Sequence, residues 1–187
     1  MDAKQFLDFL HRAERLKCNT RHCVTSTSRP ESVAEHSWRL ALMALLLEKD
    51  FPQLDMVRVV EMCIIHDLGE AVTGDIPTFR KTEQDVQVEN QAVEQLFSGL
   101  EPAAREKFTA LFAEMDALET PEARLCKSLD KLEAVISHNE SPLSSWEPLE
   151  LELNVSYGIR EAAEFPPVAA LREQARQDTL EKIQKGE

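Results

Sequence analysis

Two histidines, His36 and His66, and two aspartates, Asp67 and Asp130, are the side chains whose types and placement in this sequence suit metal chemistry. His36 falls on the helical stripe Val33, His36, Leu40, Met43 or Ala44, and Leu47, an odd place for an imidazole. His66 and Asp67 end the apolar run "VVEMCII", and an aspartate at a helix C-terminus opposes the helix dipole. Asp130 sits mid-helix, with Cys126 one turn before it and Ala134 one turn after, small neighbours for a carboxylate. Taken singly, each has a plain explanation. A core histidine satisfies the first, and a surface pairing of Asp130 with Arg124, Lys127 or Lys131 satisfies the last. Taken together, two imidazoles and two carboxylates form a mixed nitrogen and oxygen shell suited to one divalent cation such as Mn²⁺, Fe²⁺, Co²⁺ or Zn²⁺.

Helices must position these groups. Phe6, Leu10, Ala13 and Leu16 space a first helix at intervals of three and four. Ser32 and Glu35 form a capping box that opens the helix carrying His36. Asp55 is the expected N-cap of the helix ending at His66, with Val59, Val60, Cys63 and Ile64 facing inward. Gly74 and Pro77 break the chain, and helices follow before Gly99 and after Pro102. Thr120 and Pro121 start the helix of Asp130, whose stripe is Leu125, Leu129, Leu132 and Ile136. Residues 141 to 157 read as a loop with one short helical turn, and a last helix is interrupted at Pro166 and Pro167. No run of alternating β-branched residues makes a convincing strand, so "NTRHCVTSTSRP" reads as a loop. The expectation is an all-α, single-domain helical bundle over residues 1–187.

Composition excludes several function classes. The chain has 187 residues and a formal charge of −13, without the basic footprint that a nucleic-acid binder needs. The apolar run "LALMALLL" is far shorter than the roughly 20 residues of a membrane span. The amino terminus shows no signal-peptide pattern, and the four cysteines form no CxxC pair. A cytoplasmic protein with reduced thiols is expected, and a small anionic ligand is compatible with the charge if the pocket supplies a cation.

The stretches "SVAEHS", "IIHDLGEAVTGDIP" and "KSLDKLEA" resemble the H…HD…D signature of the HD-domain phosphohydrolases, closest to the YfbR-like 5′-deoxynucleotidase branch. The resemblance runs from about residue 4 to the helix after Asp130. It implies a helical bundle in which His36, His66, Asp67 and Asp130 hold one divalent cation. It also implies that Glu70 and Asp75 serve catalysis and substrate contact, and that Arg21, fifteen residues before His36, contacts the phosphate. His22 stands where that branch has a tryptophan crowding the sugar 2′ position, so selection against ribonucleotides is not carried over. A homodimer is implied as well.

The chemistry suits those roles. A phosphomonoester carries two negative charges and resists water, and a cation neutralises charge while activating water. Arg21 can fork onto two phosphate oxygens. Glu70 can orient or deprotonate the water if it stays near His66, and Asp75 can meet the leaving oxygen or a sugar hydroxyl. Plainer accounts exist: an exposed acid at a helix end, a turn aspartate, a surface arginine. His138, in a polar segment, is not expected to be a ligand. Arg80 and Lys81 could fringe a pocket mouth, and residues 78–85 could act as a lid. The expected activity is release of inorganic phosphate from (deoxy)ribonucleoside 5′-monophosphates by metal-activated water. The alternatives are an HD enzyme for a cyclic nucleotide or alarmone, and a non-catalytic helical adaptor that binds metal.

Overall fold

Capping chemistry sets the element boundaries in the computed structural model, which describes residues 2–186. Asp2 accepts from the backbone of Gln5 and opens α1, Ala3–Ala13, which a 3₁₀ turn carries to Lys17. Two short strands follow, β1 (Thr20–Val24) and β2 (Pro30–Ser32), paired antiparallel with Thr20 opposite Ser32 and Val24 opposite Pro30. This hairpin corrects the expected loop. Its turn runs through Ser28 at φ 60°, and its backbone bonds replace the alternating apolar pattern as the organising force, so sequence periodicity does not reveal it.

Ser32 then caps α2, Val33–Leu46, through the expected box with Glu35. Asp55 caps α3, Met56–Ile65, and a tight turn leads to the single-turn α4, Glu70–Thr73. Thr82 caps α5, Glu83–Ser98, and Pro102 begins α6, Pro102–Ala117. Thr120 caps α7, Pro121–Glu140, with the proline at the first turn where its missing N–H costs nothing. The region expected to be mostly loop instead holds α8, Pro148–Ser156, opened by a proline and by a capping box between Glu147 and Glu150. After α9, Ile159–Ala162, the two prolines start α10, Pro166–Lys185, rather than interrupting it.

Helices α2, α3 and α7 pack on one another and carry the core. Val33, Leu40, Val59, Met62, Leu125 and Leu129 are all sealed from solvent, each such side chain worth about 1.5–3 kcal/mol of burial. The expected inward face of α3 is off by one position at its end. Ile64 is exposed, and Met62 and Ile65 are buried instead. Residues from Leu16 to Ala175 join one contiguous hydrophobic cluster. Among the described residues no helix is long and apolar enough to cross a membrane.

Candidate functional site

The three core helices each deliver a polar group to one point. His36 comes from the buried face of α2, His66 and Asp67 from the end of α3, and Asp130 from the middle of α7. The two imidazole Nε2 atoms face each other at 3.2 Å. Asp67 Oδ2 lies 3.0 Å from His66 Nε2 and 3.7 Å from His36 Nε2, and Asp130 Oδ1 lies 3.3 Å from His36 Nε2 and 3.9 Å from His66 Nε2. His36, His66 and Asp67 each offer an atom within 4.8 Å of the others.

Partners on the far side of each ring fix the tautomers. His66 Nδ1 donates to the Cys63 carbonyl at 2.9 Å, and His36 Nδ1 donates to the Glu133 carboxylate. A neutral ring that donates from Nδ1 carries its lone pair on Nε2. Two lone-pair nitrogens and two carboxylates therefore converge with no donor between them, an arrangement that asks for a cation. The donor set fits a divalent metal, and the outward bonds of the histidines are those that orient metal ligands. Without a metal, a proton meets the need. Burial opposes the charged His66 ring, yet Asp67 and then Asp130 raise its pKa to about 10. Burial likewise opposes ionisation of Asp130, but Lys127, with its Nζ 2.8 Å away, and the two histidines hold that carboxyl well below its usual range.

A cavity of about 340 Å³ opens beside this cluster. Arg21, His22, Glu70 and Asp75 all line it. Arg21, on β1, is nearly buried and paired with Glu31 and Glu133, each at 3.6 Å. No described residue accepts a hydrogen bond from its guanidinium, so its donors are unspent. Glu70 opens α4 rather than continuing α3, and it is buried, not an exposed helix-end acid. Its Oε2 has no hydrogen-bond partner among the described residues. Burial first, then the charges of Asp67 and Asp75, push its carboxyl up to about 9. Asp75 follows Gly74, whose φ of 77° suits a residue without Cβ. Burial raises the Asp75 pKa against the pull of Arg21.

The apolar side of this cavity's lining was not foreseen. Phe79, Ile76, Leu153 and Tyr157 give it apolar and aromatic walls, and Lys127 and Lys131 line the α7 side. His22 sets its ring edge-on to Phe79, with Nε2 3.4 Å from Glu150. His138 lines the cavity but stands apart from the metal cluster, held by the Ala134 carbonyl and by Glu150 at 2.9 Å. Of the two basic residues expected at the mouth, Lys81 lines it and Arg80 turns away onto Glu147. The proline and capping box that open α8 were the signal that could have placed Leu153 and Tyr157 here.

Comparison with known proteins decides the family, because the HD domain matches residues 13–171. The chain belongs to the HD-domain family. This HD-domain chain is 30% identical to the human 5′-deoxynucleotidase HDDC2 over 142 residues, 74% of its length and 69% of the relative's. It is 31% identical to the HDDC2 of Dictyostelium discoideum over 119 residues, 59% of its length and 63% of the relative's. The match thus spans about two thirds of these relatives. Among solved structures, a "predicted metal-dependent phosphohydrolase" from Magnetospirillum magnetotacticum MS-1 superposes with a TM-score of 0.75 at 28% identity. That superposition covers 98% of this chain and 96% of the other.

Proposed function

We propose that this HD-domain chain is a metal-dependent phosphohydrolase that releases inorganic phosphate from nucleoside 5′-monophosphates, with both ribose and deoxyribose accepted. One observation carries the reading. A single cavity is lined by three of the four converging acceptor residues, His36, Asp67 and Asp130, by an arginine with unspent donors, and by apolar and aromatic side chains. A phosphate suits the charged groups, and a nucleoside suits the apolar and aromatic ones. The names of the HDDC2 relatives, 5′-deoxynucleotidases, agree with that partition.

His36, His66, Asp67 and Asp130 would hold the cation, of the Mn²⁺, Co²⁺, Fe²⁺ or Zn²⁺ group. Such an ion supplies charge neutralisation at phosphate and a lowered pKa for water. Arg21 forks onto the phosphate oxygens, and its two buried carboxylate partners keep it from swinging away. Glu70, with a free oxygen in the cavity, would take the proton from the attacking water once a bound cation offsets the Asp67 charge that helps raise its pKa. Asp75, its pKa raised by burial, meets the leaving oxygen or a sugar hydroxyl. His22 and Glu150 present a polar edge beside Phe79 where the sugar would lie, an edge that can hydrogen-bond a hydroxyl.

A phosphate-release screen over dAMP, dGMP, dTMP and their ribose counterparts, with Mn²⁺ or Co²⁺ present, tests the proposal. Turnover of both sugar classes is expected. Folded, metal-loaded protein that releases phosphate from no monophosphate would overturn it in favour of another phosphate ester or the adaptor reading.

A further inference from the structure

Glu133 lies on α7 nearly one turn past Asp130, is fully buried, and does not line the cavity. Its two oxygens have different partners. Oε2 accepts from His36 Nδ1 and stands 3.6 Å from Arg21 Nη1. Oε1 accepts from Arg39 Nε at 2.6 Å and from Ser137 Oγ at 3.0 Å. One oxygen atom therefore touches, on one side, an imidazole whose other nitrogen faces the cation cluster. On the other side it meets the guanidinium whose free donors face the cavity. The second buried carboxylate, Glu31, stands 3.6 Å from Arg21 and 3.7 Å from Arg39 but has no contact with His36.

We propose that Glu133 is a positioning residue that holds the metal ligand His36 and the anion-binding Arg21 in register, so that cation and phosphate binding both depend on one buried carboxylate. The proposal rests on the function above for what the two subsites bind. Everything around Glu133 is a donor: a ring N–H, two guanidinium groups and a hydroxyl. Only an acceptor-only group with several lone pairs satisfies them all. A glutamine would turn an N–H₂ group on one of them. Hydrogen bonds behind a ligating histidine fix its ring and raise its basicity, and losing one costs about 10–100-fold in metal affinity. Arg21, beyond hydrogen-bond distance from both carboxylates, is steered by charge while its own donors stay available for the substrate.

Glu31 supplies the control, since it shares Arg21 but not His36. Co²⁺ binding can be read by the visible absorption of the ion, and inorganic phosphate binding by calorimetry on the Co²⁺-saturated protein. Glu133→Gln should weaken Co²⁺ binding by about 10–100-fold and weaken phosphate binding as well. Glu31→Gln should weaken phosphate binding while leaving Co²⁺ affinity within about twofold, a factor worth only about 0.4 kcal/mol. Glu133→Asp, which keeps the buried charge but is too short to span His36 and Arg21, should behave as Glu133→Gln does and serves if the glutamine variant fails to fold. Wild-type Co²⁺ affinity in either folded Glu133 variant, or equal Co²⁺ losses in the Glu31 and Glu133 variants, would overturn the proposal. Neither readout uses turnover, so a chain inactive on every nucleotide would still answer the question.

Discussion

His66 and Glu70 hold protons in the metal-free protein that their ordinary values would not predict, the first to about pH 10 and the second to about pH 9. Each folded-state value is raised, so each contributes stability that is lost as pH rises. For His66 the loss runs from the usual 6.5 through about 10. For Glu70 it runs from 4.5 through about 9, because the unfolded chain ionises first. The melting temperature of metal-free protein should therefore fall as pH climbs through the overlap of these windows. Co²⁺ binding should release protons, and its apparent affinity should rise with pH. Calorimetric titrations in two buffers of different ionisation enthalpy count those protons, and a count of zero would contradict the assignment of His66 as a ligand. Some of these residues were legible and some were not. His36 could be read because an imidazole on an apolar stripe has few uses, and Asp67 because it opposes the helix dipole. Glu133 breaks the apolar face of α7 in the same way, one turn after Leu129. It was hidden by the charged Asp130 and Lys131 just before it, and by a partner 97 positions away.

At the scale of elements, α4 matters more than its single turn suggests, since it aims Glu70 at the cavity. Gly69 precedes it, and a Cβ there would meet Glu89 Cγ at 2.7 Å and Val93 Cγ2 at 2.9 Å on α5. The glycine thus lets α4 lie directly on α5. Gly69→Ala should cost about 1–3 kcal/mol by overpacking and lower kcat by displacing Glu70, while Co²⁺ affinity changes little. Thermal melts and steady-state kinetics check this, and a variant with wild-type stability would show that the contact relaxes freely. Most helices could be read from caps and stripes, since Ser32, Asp55, Thr120 and Pro121 all act locally. The hairpin that carries Arg21 could not, while the helix that carries Leu153 had only its opening proline and capping box to announce it. A short hairpin depends on backbone pairing, and α8 on tertiary contacts of a polar, proline-opened segment with α10.

For the whole molecule, the net charge is −13, yet the cavity mixes basic with acidic side chains. Arg21, Lys81, Lys127 and Lys131 gather around one cavity, with the acceptor cluster adding room for a metal charge. Large exposed apolar side chains stand on α2 and α3, at Trp38, Leu46 and Val57, and on the later helices at Leu149, Ile159, Leu171 and Leu180. Composition gives the net charge but could not show where the positive charge would collect, because that is decided by folding. The central claim is that this gathering serves a metal-dependent hydrolysis. Its most direct test is phosphate release from dAMP by metal-stripped protein as Mn²⁺ or Co²⁺ is added back. Release should be absent from stripped protein, return with metal, and fail to return in Asp67→Ala. Full release without metal, or none from folded and metal-loaded wild type, would contradict the account.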